Sequence, residues 1–154
     1  ARKAKKSTKT KRQRERRRHV VLRLVGSDLD PDKITRSLGL EPASAQPAAS
    51  LGREFKRIYN TTDGHWCLDS RLRTSATLQN QLEDIAKQIR PKRRALRAIL
   101  KNVEADVNIA VEPHDQWATC SYLFSAEVIS EFTSLGIDIC FSIHDPHNID
   151  KVFA

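Results

Sequence analysis

His19–Gly39 reads HVVLRLVGSDLDPDKITRSLG, and the fold is legible from it outward. Val20, Leu22 and Leu24 alternate with Val21, Arg23 and Val25, the period-two pattern of a strand with one wholly apolar face. Gly26-Ser27-Asp28-Leu29 is a turn. Asp30 follows as a helix cap, with Pro31 at the first helical position and Asp32 placed to favour the positive end of the helix. Ile34 and Leu38 share the inner face, and Gly39 stops the helix. A strand that runs directly into a capped helix starts an α/β unit rather than an all-helical or all-strand domain.

The rest of the chain extends this unit. Residues 41–52 (EPASAQPAASLG) are rich in Pro, Ala and Ser and read as a loop. Arg53–Tyr59 and His65–Asp69 read as a hairpin around Asn60-Thr61-Thr62-Asp63-Gly64. Leu78, Leu82, Ile85 and Ile89 form an amphipathic stripe that predicts a helix ended by Pro91. Leu96, Ile99, Leu100 and Val103 supply the apolar side of a second helix. Ala105–Val111 and Trp117–Phe124 read as a second hairpin. Ser125 caps a short helix carrying Val128, Ile129 and Phe132, stopped at Gly136, and Ile137–Ile143 is a last strand. The predicted order is β-α-β-β-α-α-β-β-α-β. It describes an α+β domain with a mainly antiparallel sheet, helices packed on one face, and ferredoxin-like packing suggested by the β-α-β ends.

Charge divides the chain in two. Residues 1–18 (ARKAKKSTKTKRQRERRR) hold 11 Lys/Arg against Glu15 and carry +10, whereas the whole chain carries +8, which leaves −2 for residues 19–154. The leader has no apolar residue larger than Ala, so it predicts a disordered basic tail over 1–18 joined to a single domain over 19–154. No apolar run approaches the ~20 residues that span a bilayer, and Val20–Val25 is too short and too interrupted for a signal-peptide core. Ala1 is small and the chain has no Met, which fits removal of an initiator Met. Cys67, Cys120 and Cys140 are odd in number and widely spaced. This argues against a disulfide scaffold, fits a reducing compartment, and predicts small buried hydrophobes in strands.

From Leu22 to Asp145 the residues resemble a family of small, mostly bacterial proteins known as domain of unknown function 4279. The matching pieces are Gly26-Ser27-Asp28-Leu29-Asp30-Pro31, Ile34 with Leu38-Gly39-Leu40-Glu41-Pro42, and Gly64-His65-Trp66 with Leu68. The Leu78/Leu82/Ile85 helix and Glu127 through Leu135-Gly136-Ile137-Asp138-Ile139 complete them. The resemblance implies a compact α+β domain in the bacterial cytosol and carries no activity, cofactor or catalytic residue. The basic leader departs from the family's pattern.

Two elements point to a partner. Eleven cations in the leader suit phosphates, because neutralising them releases condensed counterions. The expected main contacts are Arg12, Arg14, Arg16, Arg17 and Arg18, with Lys5, Lys6, Lys9 and Lys11 adding diffuse attraction. The second element is an acid-free run of seven cations between Lys87 and Lys101. Arg93, Arg97 and Lys101 are spaced as one helical ridge that would extend the track. The competing reading of that run is a solvated face opposite Leu96 and Leu100.

Other constellations carry less. Asp28, Asp30 and Asp32 imitate a calcium loop, but Lys33 stands where that loop needs Gly and Gly39 where it needs Glu. His144-Asp145-Pro146-His147 reads as a turn, with no partner set spaced for a metal. His65 and Cys67 share a strand face without a third group or oxyanion donors. The expectation is therefore a non-enzymatic nucleic-acid-binding module without cofactor or metal. The alternative is an immunity-type protein whose acidic remainder covers a basic toxin, and a third possibility is a small-molecule binding domain.

Overall fold

The computed structural model describes residues 18–48, 63–112 and 121–143. Strand β1 (Arg18–Gly26) lies at the centre of a five-stranded sheet. Helix α1 (Pro31–Leu38) follows, then β2 (Ser44–Gln46), β3 (Gly64–Asp69) and helix α2 (Leu78–Ile89). A 3-10 turn (Arg90–Lys92) leads into helix α3 (Arg93–Ile99), β4 (Glu104–Val111), helix α4 (Ala126–Thr133) and β5 (Asp138–Ile143). The strand order is β2-β3-β1-β4-β5. β1 is antiparallel to both β3 and β4, β2 is antiparallel to β3, and β5 is parallel to β4 through the α4 crossover. The sheet is thus mixed and mostly antiparallel, an α+β arrangement as the sequence predicts.

The apolar face of β1 becomes the core. Val20, Leu22 and Leu24 are fully buried with Trp66 and Leu68 of β3 and Val107, Ile109 and Val111 of β4. Ile34 and Leu38 of α1, the α2 stripe, Leu96 of α3, and Val128 and Phe132 of α4 join the same cluster, so these four helices cover one side of the sheet. The predicted caps form. Asp30 accepts from Lys33 N at 3.1 Å, Gly39 closes α1 with φ of 59°, and Ser125 accepts from Val128 N. Trp66 Nε1 donates to Thr35 Oγ1 at 3.0 Å, which gives the largest core side chain its polar partner and fixes α1 on β3.

The loop over 41–52 contains β2, whose three residues pair with β3. Gly64 permits this pairing, because a Cβ there would lie 2.8 Å from the Gln46 carbonyl oxygen and the Ala48 nitrogen. The predicted strand 53–59 lies outside the described residues, as does 117–120 of the second hairpin. The rest of that second strand, 121–124, is irregular. Tyr122 and Phe124 do turn inward and Leu123 outward, which reproduces the strand period. However, β4 already has β1 on one edge and β5 on the other, so no edge is left for a hairpin partner. β1 starts at Arg18, one residue before the expected domain boundary.

Candidate nucleic-acid interface

The expected contacts Lys5, Lys6, Lys9, Lys11, Arg12, Arg14, Arg16 and Arg17 lie outside the described residues; Arg18 is the point where the leader enters the fold. The β1–β3 ladder ends at Val21–Asp69; just beyond it the Val20 carbonyl accepts from Ser70 N at 3.5 Å, whereas Val20 N and the Arg18 carbonyl on that side of β1 have no partner in β3. Gln81, 1% exposed on α2, takes the place of the missing strand. Its Oε1 accepts from Val20 N at 3.2 Å, and its Nε2 donates to the carbonyls of Arg18 and Ala76 at 3.1 Å each. A buried Gln within an apolar helix stripe was the available sequence signal, since such a residue has to find polar partners.

Beside this root, His19 Nε2 lies 3.0 Å from Asp69 Oδ2. The hydrogen bond to Asp69 raises the His19 pKa, outweighing the opposing effect of partial burial. The folded pKa exceeds the ordinary value near ~6.5, so the stabilisation is complete below that value and is lost as pH rises through the folded pKa. Both groups are well exposed, which keeps the gain small. An NMR titration is expected to place His19 above its ordinary value and Asp69→Asn to bring it back; a His19 shift that Asp69→Asn leaves unchanged would contradict the pairing. His65 moves the other way, lowered by burial.

The acid-free run does not act as one ridge. Arg90 Nη2 and Arg93 Nη1 both reach Glu131 of α4, at 3.1 and 2.8 Å, and Arg93 Nη2 donates to Ser134 Oγ at 2.8 Å. These two arginines tie α4 to the α2–α3 junction. α3 ends at Ile99, so Lys101 stands in the following turn and not on the helical ridge expected with Arg93 and Arg97. Arg94, Arg97 and Lys101 are exposed and form no ion pair among the described residues. Arg94 and Arg97 are three apart on one helix and therefore neighbours on its surface. Lys101 lies near Gly26, at the other end of β1 from Arg18, and the strand's eight steps span about 26 Å.

The helix-free face of the sheet is polar. Arg23 Nε and Nη2 grip both carboxylate oxygens of Asp106 at 2.9 and 2.8 Å, a bidentate pair across β1 and β4. Asn108 donates to Ser142 Oγ at 2.9 Å. Cys67 and Cys140 occupy this half-buried face and not the core expected for them; Cys120 lies outside the described residues. They stand three strands apart, about 14 Å, too far for a disulfide. Burial raises the Cys67 thiol, against the opposing hydrogen bond from Ser44 and the charge of Arg23. A protonated thiol beside a neutral His65 is the reverse of an activated Cys–His pair.

The calcium-loop imitation resolves into helix capping, and the described residues contain no group of three or more metal-ligating side chains. His144 and His147 lie outside them. A cleft of about 700 Å³ between α1 and α3 has a floor of Leu29, Ile34, Ala95, Ile99 and Val103. Asp28, Asp30 and Lys33 also line it. No helix among the described residues is long and apolar enough to cross a membrane.

The comparisons with known proteins agree with the architecture and do not reach function. No curated protein and no solved structure matches this chain. The family model described as a domain of unknown function (DUF4279) matches residues 15–146, which takes in the whole described sheet and the four described helices and leaves most of the basic leader outside. The chain belongs to that family.

Proposed function

We propose that the protein is a cytosolic bacterial binding module that holds nucleic acid by its phosphodiester backbone through the polycationic N-terminal arm. The observation that carries this reading is the concentration of +10 in residues 1–18 of a chain whose total is +8. A polycation beside a slightly acidic body concentrates its attraction in one segment, and counterion release then drives association with a polyanion. The anchoring of Arg18 by Gln81 supports the reading, because it fixes where that segment leaves the sheet. Arg94, Arg97 and Lys101 add a second cationic surface on the body. The two free thiols, set too far apart to pair, suit a reducing compartment.

The test is the salt dependence of binding. With about six phosphates neutralised, the logarithm of the association constant for a labelled 20-base-pair duplex falls against the logarithm of salt with a slope near −5, a loss of roughly 10³ between 50 and 200 mM. Binding that does not respond to salt, or no binding at 50 mM, sinks the proposal.

A further inference from the structure

We infer that the cleft between α1 and α3 is a small-molecule site for an apolar amine, an organic cation whose carbon body lies on the cleft floor while its protonated amino group meets Asp28 and Asp30. The inference goes beyond the nucleic-acid reading and does not depend on it.

The cleft follows from the side chains of two facing helices. α1 and α3 lie side by side. Where they face each other, α1 presents Ser37 and α3 presents Ala95 and Ala98, side chains too short to fill the space between two helix axes. The gap of about 700 Å³ lies within the range of small-ligand pockets, about 300–1,000 Å³. At its floor Leu29 and Ile34 are already buried in the core, whereas Ile99 and Val103 are only half-buried. Apolar surface left open at the bottom of a concave site is what a carbon skeleton covers, with a gain proportional to the area removed from water.

The mouth carries the charge. Asp28 and Asp30 flank Leu29 on a short turn that is held on both sides. Leu29 N donates to the Gly26 carbonyl at 3.4 Å, and Asp30 Oδ1 accepts from Lys33 N at 3.1 Å. Both carboxylates are exposed short side chains on this fixed backbone, and neither forms an ion pair among the described residues. The one opposing charge in the lining is Lys33, an ammonium on a flexible stem that can swing into water. An anion would pair with Lys33 and stand beside two carboxylates; a cation meets the reverse balance. Asn102 and Ser37 also line the cleft and supply oxygens that can accept from the remaining protons of an ammonium group.

The experiment uses the full chain, labelled with nitrogen-15, at 50 mM salt. Three probes share one indole body: tryptamine, a cation; tryptophol, a neutral alcohol; and indole-3-propionate, an anion. Affinity is expected to fall in that order, with tryptamine about fivefold tighter than tryptophol, and the shifted amides are expected to include Leu29, Ile34, Ala98 and Ile99. The double variant D28N/D30N keeps the helix cap, because Asn caps as well as Asp. It is expected to bring tryptamine down to the affinity of tryptophol and to leave tryptophol within about twofold. Ala98→Phe, at an exposed position, fills the cleft and is expected to weaken all three probes by about tenfold or more with the melting temperature retained. No binding of any probe at about 5 mM, or shifts confined to other surfaces, overturns the site. Equal affinity for the three probes, or a preference for indole-3-propionate, overturns the amine assignment, as does tryptamine binding that D28N/D30N leaves unchanged. A folded Ala98→Phe that binds like the parent also overturns the site; should that variant unfold, D28N/D30N and the shift map still decide. None of these outcomes alters the salt-dependence test of nucleic-acid binding.

Discussion

Deleting residues 1–17 is expected to weaken duplex binding at 50 mM salt by about 10³-fold while leaving the melting temperature nearly unchanged. The deletion removes ten of the leader's 11 Lys/Arg together with Glu15, and leaves Arg18 in β1. The remaining candidate contacts are Arg18, Arg94, Arg97 and Lys101, so the salt slope should contract from near −5 to no steeper than about −3.6. Stability should hold because every core residue lies at or beyond Val20 and the backbone of β1 keeps its ladder and its Gln81 bonds. The measurement is a pair of salt titrations, full chain against truncation, with a thermal melt of each. Equal affinity in the two proteins would show that the leader is not the binding element, whatever the body does. A collapse of the melting temperature would show instead that residues 1–17 belong to the fold.

Much of the body was legible in the sequence. The alternation of Val20, Leu22 and Leu24 announced the buried face of the central strand, and Asp30, Pro31 and Gly39 announced both ends of α1. Signals of this kind are local, since they depend on side-chain period and on caps satisfied within a few residues. What was not legible depends on pairing across the chain. β2 lies in a Pro/Ala/Ser-rich stretch and exists because Gly64 lets β3 approach it. The inward-outward pattern of Tyr122, Leu123 and Phe124 looked like a strand, but pairing needs a vacant edge as well as a period, and β4 has none. The same limit applied to the surface. An unbroken run of cations looked like one ridge, and only the packing of α4 against α2 and α3 reveals that Glu131 occupies Arg90 and Arg93. The half-buried position of Cys67 and Cys140 follows from strand register, since each shares a face with Arg23 or Asn108 and not with Leu22.

Gln81→Leu is expected to destabilise the protein by about 2–4 kcal/mol, because it retains the side chain's bulk and removes all three of its hydrogen bonds. Val20 N and the Arg18 carbonyl lie where the β1–β3 ladder has ended, and Gln81 is the partner recorded for them on that side. Leaving a buried donor or acceptor unpaired costs about 1–3 kcal/mol each, and Arg18 and Ala76 are less enclosed than Val20, which keeps the total below the simple sum. For a domain of this size the melting temperature should fall by roughly 10 °C. Hydrogen exchange gives the more discriminating signal: the Val20 amide should lose protection strongly in the variant, whereas Leu22, held within both ladders, should follow only the global loss. A variant that melts within 2 °C of the parent, with Val20 still protected, would mean that water or a backbone shift replaces Gln81 at no cost (the ~10 °C expectation rests on neither happening). The outcome also bears on the arm, because the bonds lost are those that fix Arg18. Fraying the first residues of β1 should loosen Arg18 without removing a charge. Nucleic-acid affinity is therefore expected to survive a substitution that costs the fold several kcal/mol.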